Sequence, residues 1–159
     1  MASRRKGRIL AFQALYSWDA HYSQTKDVSM PEGLLEFSWA AGDTPLNEEM
    51  IAFSRLLVSG AIENIISIDD MIRKHLQNWE LKRLNRVDLA ILRMSVYTLM
   101  YQPDMPPTVV IDEAVDISKE FGTDDSYRFI NGILDGIRKT LARAIEKPKT
   151  PEQKSGTGL

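Results

Sequence analysis

The chain has 159 residues, 43% of them hydrophobic and none of them cysteine. That length suits one domain able to bury roughly 70% of its unfolded surface, and the lack of thiols excludes disulfides, thiolate metal sites and a cysteine nucleophile. The net charge of −2 hides an asymmetry: Arg4, Arg5, Lys6 and Arg8 hold four of the 20 basic residues, leaving 16 against 22 acidic ones elsewhere, a local cationic patch on an acidic domain.

Helical periodicity dominates and no segment alternates like a strand, so the fold class is all-α. A first helix is predicted over residues 4–22 after Ser3 as N-cap, with Ala11, Ala14, Leu15, Trp18 and Tyr22 on one apolar stripe. Its cationic start followed by apolar residues 9–12 mimics a secretory signal. Gln13 interrupts that run, however, and no small-residue cleavage site follows. No stretch approaches the roughly 18 apolar residues of a membrane span. The expectation is a soluble, cytoplasmic protein with no membrane partner.

A short helix is expected after Pro31, ending near Gly42. Thr44-Pro45 is read as opening a longer helix over 46–64. Ser67, Asp69 and Asp70 are read as the start of the next, with the two carboxylates capping it against the helix dipole. Residues 87–101 are apolar on nearly every side, which places that helix at the centre of a bundle. Within it Asp88 suits the first-turn dipole, and Arg93 is a candidate for a buried ion pair. Pro103, Pro106 and Pro107 force a loop, Thr108 is the expected cap of a helix to Phe121, and Gly122 stops it. Asp124, Asp125 and Ser126 introduce a last helix with the stripe Ile130, Ile133, Leu134, Ile137, Leu141 and Ile145. The domain is therefore assigned to residues 1–146, and the polar stretch 147–159 is expected to be a disordered tail.

Catalytic and metal motifs are missing from the sequence. His21 and His75 lack metal-ligand spacing and read as surface or boundary residues. The tail's Ser155-Gly156-Thr157-Gly158 has neither the strand, the helix nor the lysine of a phosphate loop. Neither a catalytic residue nor a cofactor is expected.

Two helix faces do not suit a plain bundle. Opposite the core stripe of the first helix lie Arg5, Ile9, Phe12, Gln13 and Tyr16, flanked by Arg8. Cations beside aromatics suit an unpaired nucleic-acid strand, where phosphates meet charge and bases stack on rings; a helix sandwiched between two others is the alternative. In the last helix Gly132 and Gly136 imply a close approach, by a neighbouring helix or by a ligand, while Arg128 and Asn131 offer a phosphate donor and a base-reading amide.

The sequence resembles the family of the transcription antitermination factor NusB. The likeness is carried by Arg4-Arg5-x-x-Arg8 with Phe12-Gln13-Ala14-Leu15-Tyr16-Ser17-Trp18, by Trp79-x-x-x-Arg83-Leu84 leading to Val87-Asp88-x-Ala90-Ile91-Leu92-Arg93, by Pro106-x-x-Val109-x-Ile111-Asp112-Glu113-Ala114-Val115 through Lys119-x-Phe121-Gly122, and by Asp125-Ser126-x-x-Phe129-Ile130-Asn131-Gly132-Ile133-Leu134-Asp135. Residues 23–45 and the tail depart from the pattern, and Asp112 and Ser118 stand where Asn and Ala are common.

The resemblance implies about seven helices in two small subdomains around a central apolar helix. It also implies a non-catalytic factor that binds boxA-type RNA jointly with NusE, a small-subunit ribosomal protein, to help RNA polymerase read through terminators, typically in ribosomal RNA operons. By the same likeness Arg4, Arg5, Lys6, Arg8, Gln13, Asp125, Arg128, Phe129 and Asn131 face RNA, with Lys6 the less specific match, and Tyr16 and Asp88 face NusE. Alternatives are the RNA-recognition domain of a methyltransferase and a self-associating bundle whose homodimer masks the basic face.

Overall fold

A run of side chains with no exposed face sits at the centre of the molecule. From Asp88 to Thr98 every residue of one helix is buried, and that helix, α4 (Arg86–Tyr101), is the axis on which the others pack. The computed structural model describes residues 2–40, 42, 46–77 and 79–146. Among them the chain forms α1 (Ala2–Thr25), α2 (Glu48–Glu63), α3 (Ile65–Lys74), α4, α5 (Pro107–Phe121) and α6 (Ser126–Glu146), with three 3-10 turns at Leu34–Glu36, Ser38–Ala40 and Leu81–Arg83. Helices α1 and α2 pack on each other, α5 and α6 likewise, and α4 contacts all five of the other helices. One continuous buried cluster joins them, from Leu10 and Trp18 through Leu57, Ile68, Ile91 and Leu92 to Ile130 and Ile137.

Local chemistry explains most boundaries. The side chain of Asn47 accepts a hydrogen bond from the Met50 amide and caps α2; the expected Thr44-Pro45 start lies outside the described residues. Asn85 caps α4 by accepting from the amides of Val87 and Asp88. Thr108 does not cap α5: Pro106 holds the cap position and Pro107 the first turn, where a missing N–H loses nothing. The short helix expected after Pro31 is instead a pair of 3-10 turns, with Gly33 at φ 83° and Phe37 at φ 58°. These turns bury Phe37 completely, and in the segment before them the Val28 carbonyl accepts from the Trp18 indole N–H at 3.2 Å.

The reading of Asp69-Asp70 as caps is corrected. Helix α3 begins at Ile65, so Asp69 falls one turn in and points into the core at 3% exposure. Its two carboxylate oxygens accept from Arg93 Nε and Nη2, each at 2.9 Å. Arg93 Nη1 also donates to Asp19 Oδ1 at 2.7 Å, and Asp19 Oδ2 accepts from Arg86 Nε at 2.9 Å. Burial pulls the Arg93 guanidinium down, and its hydrogen bonds and charge contacts with Asp69 and Asp19 more than reverse that. This network ties α1, α3 and α4 together. Among the described residues no single helix is long and apolar enough to cross a membrane.

The outer elements complete the frame. Gly7 and Gly60 sit where helices cross closely: an added Cβ would meet Phe53 at 2.7 Å and Tyr97 at 2.2 Å. His75, half-buried, bridges α3 and α6 through the Met71 carbonyl and the Thr140 hydroxyl, at 3.1 and 2.9 Å. Ile145, expected on the core stripe of α6, is exposed because the helix outruns the bundle there.

Candidate nucleic-acid interface

The first turns of α1 carry the cationic segment, and its members have different surroundings. Arg4 is exposed, with its guanidinium 4.5 Å from the centre of the Phe53 ring. Lys6 is half-buried. Arg5 is exposed but engaged: Nη2 meets Asp116 Oδ2 at 2.9 Å and Nε donates to Glu113 Oε2 at 3.0 Å. The hydrogen bond to Asp116 foremost, with Glu113 adding to it, holds the Arg5 guanidinium above its ordinary value against the opposing desolvation. Arg8 is only 8% exposed, packed against Phe53 and 3.7 Å from Glu113. Burial pushes its guanidinium down and Glu113 partly restores it. Arg8 therefore sits beneath the surface that Arg4 and Arg5 form.

Further along α1, Phe12 is buried and meets Phe121 edge-on at a centroid distance of 5.2 Å. The sandwiched alternative thus holds for Phe12, whereas Gln13 is half-buried and Tyr16 is 48% exposed. Phe12, Gln13, Tyr16, Val87 and Phe121 line a shallow depression of about 190 Å³. It brings the RNA candidate Gln13 beside the partner candidate Tyr16, next in space to the start of α4. Asp88 is buried there, with Oδ1 lacking a hydrogen-bond partner among the described residues. Burial pushes its carboxyl up, and Ser126 at the start of α6 pulls it partly back.

The second region lies at the beginning of α6. Asp125, Arg128 and Asn131 are exposed and Phe129 is half-buried. At 100° per residue Asp125, Arg128 and Gly132 follow one stripe, with Phe129 and Asn131 on its flanks. The Arg128 Nε donates to the Tyr127 hydroxyl at 3.0 Å, and Lys119 of α5 lies 5.1 Å from the Tyr127 ring. Gly132 is exposed with nothing within 4 Å of a Cβ built on it, while Gly136 packs against His75 at 2.9 Å. The two glycines thus divide: Gly136 answers to helix packing and Gly132 does not.

Helix α5 stands between the two regions and both touch it, Arg5 at Glu113 and Asp116, Tyr127 at Lys119. The acidic edge of α5 is what the sequence reading missed. Glu113 and Asp116 hold Arg5 from 108 and 111 residues away, with Asp112 beside them on the helix. Their spacing of three and four marks an acidic stripe, but nothing local says which cation it faces. Among the described residues no cluster of His, Asp or Glu could hold a metal ion.

The model of the NusB family matches residues 5–139. The chain belongs to the NusB family. It is 51% identical over 135 residues to the transcription antitermination protein NusB of Treponema denticola, covering 85% of this chain and 95% of that one. Among solved structures it is similar to T. maritima NusB, with 36% identity, a TM-score of 0.70 and coverage of 86% and 90% of the two chains. It is also similar to a chain in a crystal structure of antitermination factors NusB and NusE in complex with dsRNA, with 28% identity, a TM-score of 0.73 and coverage of 88% and 98%. The all-α architecture around a central apolar helix is therefore a NusB fold, with six α-helices among the described residues where about seven were expected.

Proposed function

We propose that this protein is a cytoplasmic, non-catalytic transcription antitermination factor that binds boxA-type RNA jointly with NusE, promoting read-through by RNA polymerase, typically in ribosomal RNA operons. The observation that carries the reading is that one edge of α5 meets both helices, at Glu113 and Asp116 for Arg5 of α1 and at Lys119 for Tyr127 of α6. Arg4 and Lys6 neighbour Arg5 on the first turns of α1, and Asp125, Arg128, Phe129 and Asn131 neighbour Tyr127 at the start of α6.

In this reading Arg4, Arg5 and Lys6 meet phosphates, while Arg8 acts from beneath by holding Glu113 and Phe53 in place. Gln13 and Asn131 offer amides to base edges, and Phe129 offers part of a ring. Asp125 accepts from a base or a 2′-hydroxyl. Tyr16 and Asp88 face NusE, and the unpartnered Oδ1 of Asp88 is where a donor from that protein would be worth most, because a buried acceptor left unmade is costly. A salt titration tests the RNA half. With about three phosphate contacts, log affinity should fall with log salt at a slope near −2. A flat response would remove the arginine segment from the interface.

A further inference from the structure

At the far end of α1, some 30 Å along the helix from Arg5, the surface opens into a cavity of about 480 Å³ that the proposed interface does not use. Lys26, Arg73, Lys82 and Arg86 line it against a single carboxylate, Glu80, and Trp79 forms part of its wall. The Trp79 side chain is 61% exposed, so its indole face contributes little to the core. The arginines have internal partners: Arg73 pairs with Asp70 at 2.9 Å and Arg86 with Asp19. Lys82 lies 3.3 Å from Glu80, both strongly exposed, and pairs of that kind exchange readily for a phosphate. Lys26 makes no ion pair among the described residues, and its ammonium lies 4.9 Å from the Tyr22 ring. The backbone at Lys26 is held at φ 60°, where α1 turns away and delivers the lysine to the rim.

We infer that this cavity is a second RNA contact, which takes one or two unpaired nucleotides with a base stacked on Trp79 and its phosphates between Lys26 and Lys82. Three features select that ligand class. The volume matches a nucleotide-sized pocket. The cation excess selects an anion, and the open indole beside it selects a π-face, the pairing used by single-strand binders. Stacking on an indole and charge on phosphates are common to every nucleotide, so the contact tolerates any sequence. It lengthens the footprint on RNA flanking the element held at the arginine segment. The inference rests on the proposed RNA binding only for which strand arrives.

The test uses the full chain and two RNA probes: a boxA-type strand alone, and the same strand extended at either end by about ten uridines, long enough to span the roughly 30 Å of helix between the two regions. In a Trp39→Phe background, emission from exposed Trp79 lies at longer wavelength than that of buried Trp18 and can be followed separately. The extended strand should quench it, the short one should not, and one of the extensions should raise affinity about tenfold. Trp79→Ala and Lys26→Ala/Lys82→Ala should erase that gain while leaving short-strand affinity and the melting temperature unchanged, since these side chains lie at the surface. If the short strand binds but neither extension adds affinity or moves Trp79, the second contact is refuted and the proposed function stands. If the short strand fails to bind yet the extended strand still quenches Trp79, the cavity survives and the arginine-segment reading falls. Quenching by NusE alone, with no response to RNA, would assign the cavity to protein and overturn the inference.

Discussion

The acidic edge of α5 sets how strongly the arginine segment can hold RNA, and Asp116→Asn measures this. Arg5 Nη2 sits 2.9 Å from Asp116 Oδ2, with the two side chains 44% and 48% exposed. An exposed pair of this kind is worth about 0–1 kcal/mol, which is what Arg5 gives up on turning to a phosphate. The carboxylate also repels that phosphate: two unit charges about 8 Å apart in water interact by roughly 0.5 kcal/mol, less at physiological salt, where the screening length is about 8 Å. Removing the charge should therefore release about 1 kcal/mol in favour of binding, tightening RNA about three- to tenfold. Glu113 is left in place because it also serves buried Arg8. Fluorescence anisotropy with a boxA-type strand reads the change, with Arg5→Ala as the opposite arm. Weaker or unchanged binding by Asp116→Asn, together with unchanged binding by Arg5→Ala, would show that Arg5 does not meet RNA.

Other residues give equally specific outcomes. Asp69→Ala strips buried Arg93 of its bidentate partner and should cost about 3–5 kcal/mol, lowering the melting temperature of a chain this size by about 10 °C; a loss under 1 kcal/mol in denaturant titration would contradict the network's role. Gly132→Ala meets open space, so it should stabilise the free protein by about 0.8–1 kcal/mol while weakening RNA or NusE binding; improved stability with unchanged binding to both would show that nothing approaches there. Asp88→Ala should reduce NusE affinity before it affects RNA, as measured by titration calorimetry. Asp88 also sets a pH dependence. Its folded carboxyl is raised by burial, so the wild type should gain stability relative to Asp88→Asn as pH falls through that raised value. The gain is complete below the ordinary carboxylate range near 4, and a constant difference between the two proteins across that window would contradict the assignment.

Legibility in the sequence followed the range of the interaction. Helix α4 announced itself because an all-round apolar stretch admits only a central position, and α1 and α6 because their stripes repeat every three to four residues. The cationic segment and the odd glycines were visible for the same local reason. What escaped notice depends on distant partners. Asp69 reads as a cap from its neighbours, since only Arg93, 24 residues later, reveals it as a core ion. Arg8 reads as an exposed cation until Phe53 of α2 covers it. Likewise Gly132 and Gly136 look alike in sequence, and it is His75, at the C-terminal cap of α3, that separates them.

The central claim is that one surface, bordered by the start of α1 and the start of α6, holds RNA and NusE together. Titrating a labelled boxA-type strand with this protein, in the absence and presence of saturating NusE, tests it most directly when repeated with the Arg4→Ala/Arg5→Ala variant. The account predicts that NusE tightens RNA binding and that the variant loses RNA affinity in both conditions while still binding NusE. RNA affinity indifferent to both NusE and the arginine change would contradict it.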